Sequence, residues 1–554
     1  MIETIATKPF EGQRPGTSGL RKKVTVFQQP GYLENFVQAI MDIVEPSSKG
    51  SHLVLGGDGR YLNDHAIQVI CSIAAGNGVE KLVIGVNGYL STPAASHVIR
   101  KYKLHGGIIL TASHNAGGPN NDFGIKYNLG NGAPAPEGVT EKMYSITKTI
   151  SEYKAAKIPQ VDLSTVGERK YGPLTVEIID PVKDYVEFMK QIFDFDMIRS
   201  FISKNPDFTF VFDALHGVTG PYGLAIFHRE LGLPESSCDN CKPLPDFGGG
   251  HPDPNLTYAK SLVERVNREK IVFGAASDGD GDRNMIYGYE SFVTPSDSVA
   301  LIAHHADLIP YFREGGIHGY ARSMPTSGAI DLVGKYKGKD VYEVPTGWKF
   351  FCNLFDAKRL SVCGEESFGT GSDHIREKDG MWGILSWLNI LAALNAQNPK
   401  IKTIKDVMKD FYSIYGRTFF TRYDYEELDS EAAGKVIQKF RDVVEAKDIV
   451  GKEVLPGFVI AKAGDFAYRD PVDGSVSEHQ GLYAKFDNGS RIVTRLSGTG
   501  SSGATLRLYI EKHESDSRKF ELNAQEALKP VIDVALNLLS LEALTGRKEP
   551  TVIT

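Results

Sequence analysis

The sequence predicts an α/β protein: three similar α/β units with mixed or parallel sheets, then a C-terminal α+β unit, set around a central cleft. Three observations carry this reading. Through residue 185, short apolar runs alternate with segments of helical periodicity, the order that gives parallel strands joined by crossover helices. An apolar strand reaching an acid and a glycine occurs at 52–60, 208–217 and 270–279. The last segment instead offers successive strands around an amphipathic helix.

The elements follow in order. Leu33, Phe36, Val37, Ile40, Ile43 and Val44 have helical spacing. His52-Leu-Val-Leu-Gly-Gly-Asp-Gly-Arg60 reads as a strand emptying into a Gly-rich turn, Ala66 to Ala75 as a helix, and Lys81-Leu-Val-Ile-Gly85 as a second strand. Gly107 to Leu110 is an apolar strand delivering Ser113 into a loop of small and polar residues. Trp382 to Leu394 is the most apolar long stretch, but Ser386 and Asn389 interrupt it and it is too short to span a bilayer, so it reads as a buried helix. Val454 to Ile460, Gly481 to Phe486, Arg491 to Leu496 and Thr505 to Ile510 are expected strands, with a helix at Ala432 to Val444. The Asp180-Pro181 and Thr294-Pro295 turns and the region from Ile404 to Tyr415 mark boundaries, giving units 1–185, 186–294, 295–407 and 408–554.

Bulk composition narrows the function. The 554 residues are 41% hydrophobic and 24% charged, and 62 basic against 69 acidic residues give a net charge of −7, without the basic excess of a nucleic-acid binder. Five cysteines at irregular spacings suggest no disulfide framework, and Cys238-Asp-Asn-Cys241 has no second pair to complete a zinc site. The start lacks the basic and apolar regions of a secretory signal. A reducing, cytoplasmic setting with no transmembrane segment is expected.

Five loops could hold chemistry. Thr111-Ala-Ser-His-Asn115 presents a hydroxyl at a strand end, although a turn satisfied by its own side chains is the plainer reading of that stretch alone. In Ser277-Asp-Gly-Asp-Gly-Asp-Arg283, three carboxylates separated by glycines repel one another unless a cation neutralises them, and all-oxygen ligands suit Mg²⁺. Arg495-Leu-Ser-Gly-Thr-Gly-Ser-Ser-Gly503 contains a formal G-x-G-x-x-G, but a strand rather than a helix follows it, so a dinucleotide site is excluded. Backbone N–H groups, hydroxyls, Arg495 and Arg507 suit a phosphate there. Cys363-Gly-Glu-Glu-Ser-Phe-Gly369, with Lys378 close behind, could read sugar hydroxyls, and Pro345-Thr-Gly-Trp-Lys349 adds an aromatic and a cation. A nucleophile, a cation site, a phosphate cradle and a polyol reader together point to phosphoryl transfer on a phosphosugar, in an interdomain cleft.

Thr111 to Asn115, Asp278 to Arg283, Gly364 to Gly369 and Arg495 to Gly500 occur in the order of the α-D-phosphohexomutases, which the chain resembles over nearly its whole length. Pro15 to Arg21, Asn120 to Asn128 and Pro345 to Phe351 are similar to the eukaryotic-type phosphoglucomutase branch, which includes parafusin. The resemblance implies interconversion of glucose 1-phosphate and glucose 6-phosphate through a phosphoserine enzyme and glucose 1,6-bisphosphate. Ser113 is then the phosphate carrier, and Asp278, Asp280 and Asp282 hold one Mg²⁺ together with a Ser113 phosphate oxygen. Arg283, His114 and Lys126 join the catalytic group, with His114 or Lys126 as base. Arg21, Thr346, Gly347, Glu365, Ser367 and Lys378 match substrate positions, and Arg495, Ser497, Thr499 and Arg507 match the loop for the non-transferring phosphate. Ala116 stands where relatives usually carry proline, which removes one fixed φ from the serine loop. The expected partner is a small phosphosugar, for a monomer or weak dimer. A phosphomannomutase or bisphosphate synthase, or a parafusin-like protein with an added scaffold role, would share these motifs. A serine hydrolase would lack a use for the aspartates and has no G-x-S-x-G elbow.

Overall fold

The computed structural model describes residues 1–498 and 503–554. Its first three units repeat one strand plan. In the first, His52–Gly57 lies between Lys81–Tyr89 and Gly106–Leu110, parallel to both, and Asp122–Leu129 returns antiparallel to Gly106–Leu110. In the second, Phe210–Asp213 lies between Cys238–Asp239 and Phe273–Ser277, and Asn284–Gly288 returns antiparallel. The third places Tyr320–Ser323 between Val341–Val344 and Val362–Glu365, followed by the antiparallel Gly369–Ser372. The recurring strand signature thus marks a recurring α/β unit. The first sheet adds edge strands on both sides to reach seven, one of them Leu20–Lys23 beside Asp122–Leu129.

This plan positions function. In each unit the loop between the third strand and its antiparallel fourth carries a distinct motif: 111–121 with Ser113, 278–283 with the three aspartates, and 366–368 with Ser367. The three loops meet at the centre because the units share one continuous apolar core. Val54, Tyr222 and Trp382, one from each unit, belong to that core. The helix Gly380–Leu394 runs through it, with its apolar residues buried on every side as the sequence implied. Trp382 meets Phe193 and Phe312 there.

The fourth unit is a seven-stranded, wholly antiparallel sheet in the order Glu453–Leu455, Phe458–Asp465, Leu482–Phe486, Ser490–Gly498, Ala504–Glu514, Arg417–Leu428, Val552–Ile553. Helices Ser430–Val444 and Ala524–Leu539 pack on it. The expected strand at Val454 to Ile460 is in fact two strands joined at Pro456-Gly457, where Gly457 adopts φ 81. Proline has no N–H for the ladder, so the run breaks into a hairpin. The long strand Arg417–Leu428 escaped the sequence reading because Arg422 and Asp424 interrupt its apolar pattern; both are buried for reasons that appear only in three dimensions. The 404–415 boundary region is itself a helix, Ile404–Tyr415, opened by a Thr403–Asp406 capping box and closed by Gly416 at φ 79. Among the described residues no helix is long and apolar enough to cross a membrane.

Arg491 fastens the fourth unit to the third. Its guanidinium donates to the Met324 and Thr326 carbonyls at 2.7 and 2.8 Å and pairs with Glu511, whose other oxygen accepts from Gly328 N–H at 3.0 Å. Arg491→Ala would leave Glu511 buried and unpaired, so a loss of about 3 kcal/mol is expected in urea unfolding.

Candidate functional site

Ser113 sits in the left-handed region at φ 52, a conformation that costs a non-glycine residue on the order of 1 kcal/mol. The loop around it is over-determined. Ser113 N–H donates to Thr111 Oγ1 at 2.8 Å, and Asn115 N–H to the Ala112 carbonyl at 3.0 Å. From beneath, the fully buried Arg60 donates to the carbonyls of Ser113, Asn115 and Asp122 at 3.0–3.2 Å. Asp58 holds that guanidinium in a fork with contacts of 2.9–3.1 Å. The loop therefore owes its shape to Arg60, so alanine at position 116 does not leave it without constraint.

The aspartate loop lies directly against it. Ser113 Oγ donates to Asp278 Oδ2 at 3.1 Å. Gly279 has to be glycine because a Cβ there would lie 2.6 Å from the Ser113 carbonyl oxygen. One ligand atom from each of Asp278, Asp280 and Asp282 falls within 4.8 Å of the others, all three residues being buried. Asp280 Oδ1 and Asp282 Oδ1 have no hydrogen-bond partner among the described residues. Burial and the neighbouring charges of Asp280 and Asp282 push Asp278 well above the usual carboxylate range. Burial and Asp280 push Asp282 up to about 6. Burial acts on Asp280 in the same direction, but hydrogen bonds with Thr92, at 2.7 Å, and with Asp278 hold it below its ordinary value. Oxygen donors, unsatisfied and mutually repelling, fit a hard divalent cation.

Around this centre the structure gathers residues from all four units. His114 Nδ1 is 3.3 Å from Ser113 Oγ. Burial and then the cationic groups of Arg283, Arg21, Arg507 and Lys378 push that imidazole well below its usual range, so it is neutral. Arg283 N–H donates to Asp278 at 3.0 Å, and its guanidinium is 3.6 Å from Asp253. Lys126 is not a free amine: it donates to the buried Glu377 at 2.6 Å, and Asn128 donates to the same oxygen at 3.0 Å. Lys378 Nζ lies 3.8 Å from both Asp282 and Glu365. Glu365 in turn accepts from Gly347 N–H at 2.9 Å, beside a Thr346 hydroxyl that has no partner among the described residues. Ser367 is buried in the same loop.

Arg495 and Arg507 are direct cross-strand partners. Like charges in that position repel; Ser497 Oγ and Arg507 Nε are buried without a hydrogen-bond partner among the described residues, and the Asp424 carboxylate that this Nε faces is 3.9 Å away. Such a pair calls for an anion. Thr499 lies outside the described residues. The cleft that opens beside Arg21, His114, His251 and Arg507 holds about 780 Å³. A larger depression of about 1060 Å³ lies behind Arg60, away from these charges.

The sequence reading missed Asp58, Arg60, Asp253, Glu377 and the buried Arg422, which donates to Glu366 and Asp424 at 2.9 Å each. Glu377 immediately precedes Lys378, yet only its contact with Lys126 from another unit gives it a task. Asp253 stands between prolines in His251-Pro-Asp-Pro254, a turn signal without chemistry of its own.

Comparison with known proteins gives a consistent match. Family models for phosphoglucomutase/phosphomannomutase alpha/beta/alpha domains I, II and III match residues 12–154, 183–290 and 295–415, and one for the phosphoglucomutase-1 C-terminal domain matches 417–551. Phosphoglucomutase of Schizosaccharomyces pombe is 80% identical over the full length of both chains, and phosphoglucomutase 1 of Saccharomyces cerevisiae is 56% identical, again with full coverage of both. Among solved structures, the open form of the Paramecium exocytosis-sensitive phosphoprotein pp63/parafusin (phosphoglucomutase) aligns with TM-score 0.91 at 46% identity, covering 100% of this chain and 99% of that one.

The carboxylate cluster makes a pH-dependent prediction. With no cation, the folded state keeps a proton on Asp282 up to about pH 6 while the unfolded chain releases it near 3.8. Stability of the metal-free protein should therefore fall as pH rises from about 4 to 7, by on the order of 2–3 kcal/mol from this group. A divalent cation removes that loss, so adding one should raise the melting temperature of stripped protein more at pH 7.5 than at pH 5.5.

Proposed function

Because the chain belongs to the phosphoglucomutase family and interconverts glucose 1-phosphate and glucose 6-phosphate, we propose that Ser113 is the residue that carries the phosphoryl group between O6 and O1. The observation that supports this most is the Ser113 hydroxyl held 3.1 Å from Asp278, inside the carboxylate cluster. Phosphoryl transfer asks chiefly for positioning and electrostatics. A Mg²⁺ held by Asp278, Asp280, Asp282 and a phosphate oxygen on Ser113 would neutralise charge on the transferring group; the unsatisfied, all-oxygen donor set fits it.

The chain's own groups do the rest. Arg283, hydrogen-bonded through its backbone to Asp278, faces the same phosphate and offsets charge that develops during transfer. Arg21, whose buried Nε has no hydrogen-bond partner among the described residues, would be a second cation for that phosphate. Glu365 and Ser367, with Thr346 and Gly347, would fix the sugar ring through its hydroxyls, and Lys378 reaches both the sugar and the transferring end. Arg495, Arg507, Ser497 and Thr499 would hold the phosphate that is not moving. With one anion site at each end, a glucose 1,6-bisphosphate intermediate can turn end for end and present its other phosphate to Ser113. His114 and Lys126 are the groups assigned to the proton of the attacking hydroxyl. His114 already touches Ser113 Oγ, whereas Lys126 must loosen its bond to Glu377. Closure of the fourth unit would exclude water, the competing acceptor.

A single chain supplies every one of these residues, which supports a monomer or weak dimer. The five cysteines are all free thiols, which supports a reducing, cytoplasmic setting.

Steady-state assays test this reading. Glucose 1-phosphate should be turned over with a strong preference over mannose 1-phosphate, and activity should vanish with a chelator. Ser113→Ala should lower kcat/KM by at least about 10⁴-fold. Activity that survives in Ser113→Ala would remove the serine from the mechanism.

A further inference from the structure

The segment after the sugar loop contains a titratable group that the mechanism does not use. His374 is fully buried, its ring stacked on Trp382 at 5.6 Å and on Phe188 at 5.9 Å. Its Nε2 faces Asp379 Oδ2 at 2.9 Å, and its Nδ1 faces Ser372 Oγ at 2.6 Å. The other Asp379 oxygen accepts from Tyr185 OH at 2.6 Å and from Trp382 N–H at 3.2 Å. Tyr185 belongs to the helix Pro181–Ile192, outside the third unit. Burial and then Asp379 push its hydroxyl well above the usual range, so it remains a donor. Ser372, His374, Asp379 and Tyr185 thus form a closed chain in which each polar atom has a partner.

The backbone at Asp379 is tied just as firmly. Its N–H donates to the Thr370 carbonyl at 2.9 Å, and the next N–H, of Gly380, donates at 3.0 Å to the carbonyl of Gly281 within the aspartate loop. Gly380 is pressed so close that a Cβ would lie 2.1 Å from the Arg283 carbonyl oxygen. Lys378 directly precedes this anchor, with its ammonium 3.8 Å from Asp282 on one side and Glu365 on the other. A compact charge on a flexible four-carbon stem keeps its place between two carboxylates better when its backbone origin is fixed.

We propose that Asp379, held by Tyr185 and His374, is a positioning residue that sets the height of Lys378 between the aspartate loop and the sugar loop. The inference rests on the reading that Lys378 touches the substrate. Nothing in the network meets substrate itself, and Ser372 is too deeply buried to act as a nucleophile.

The test compares Tyr185→Phe, which keeps the ring against Tyr222, with Lys378→Met and with the double variant. Asp379→Asn, which keeps shape but removes charge, serves as a second single variant. Each is assayed with glucose 1-phosphate and melted by calorimetry. Lys378→Met alone should raise KM clearly. Tyr185→Phe should raise KM about tenfold or more with kcat changed less than about twofold, the effect of losing one hydrogen bond to a carboxylate. Added to Lys378→Met, it should change KM by less than about twofold, because both act through the same ammonium. An unchanged KM in Tyr185→Phe and Asp379→Asn would overturn the proposal, as would the full increase persisting in the double variant or a lowered melting temperature with intact KM. Unchanged KM in Lys378→Met would instead overturn the substrate contact on which the inference rests.

Discussion

Three buried carboxylates within 4.8 Å of one another cannot all carry charge in a low-dielectric setting without a compensating cation. Around that constraint the site is built. Backbone N–H groups of Gly281 and Arg283 both converge on Asp278 Oδ1, Thr92 reaches Asp280 from the first unit, and Lys378 approaches Asp282 from the third. The Ser113 hydroxyl is the remaining donor to Asp278. A serine with a phosphate in this place adds more negative charge to the cluster, which strengthens the need for a cation and brings Arg283 and Arg21 into use.

The repeated strand plan explains how four motifs separated by hundreds of residues come to share one cleft. A turn between a parallel strand and an antiparallel return strand is compact, and its position relative to the sheet is the same in every unit. Three copies packed through one core bring three such turns to one point. Each copy then carries different chemistry on an equivalent loop, as expected when function resides in sites grafted on a fold. The fourth unit reaches the same cleft through the cross-strand pair Arg495 and Arg507, and Arg422 ties it to Glu366 beside the sugar loop.

Legibility from sequence followed how local the signal was. The strands of the first unit, the helix at 382–394 and the aspartate loop were readable because apolar runs, glycines and charge repulsion act within a few residues. Strand Arg417–Leu428 was not, since the partners that make Arg422 and Asp424 acceptable in a core lie far away in the chain. Ser113 was ambiguous for the same reason. Its loop is common turn chemistry, and only Asp278, 165 residues on, distinguishes it. Glu377 was not readable either, although it is next to Lys378, because its partner Lys126 lies 251 residues away. The Arg60 anchor bears on a question the sequence raised, because it constrains the loop on both sides of Ala116 through the Ser113, Asn115 and Asp122 carbonyls.

Arg60 and Asp58 have no contact with the reacting atoms, yet their fork fixes two carbonyls of the serine loop and that of Asp122 just after it, and so stabilises a left-handed Ser113. This strained serine beside the carboxylate cluster is proposed to carry phosphate and to pass between two covalent states. Intact-mass spectrometry with peptide mapping, before and after incubation with glucose 1,6-bisphosphate, tests it most directly. A single phosphate should map to Ser113, be transferred to added glucose 1-phosphate, and be absent from Ser113→Ala under the same treatment. A protein without phosphate on Ser113 in either condition, or with phosphate on another residue that supports turnover, would contradict it.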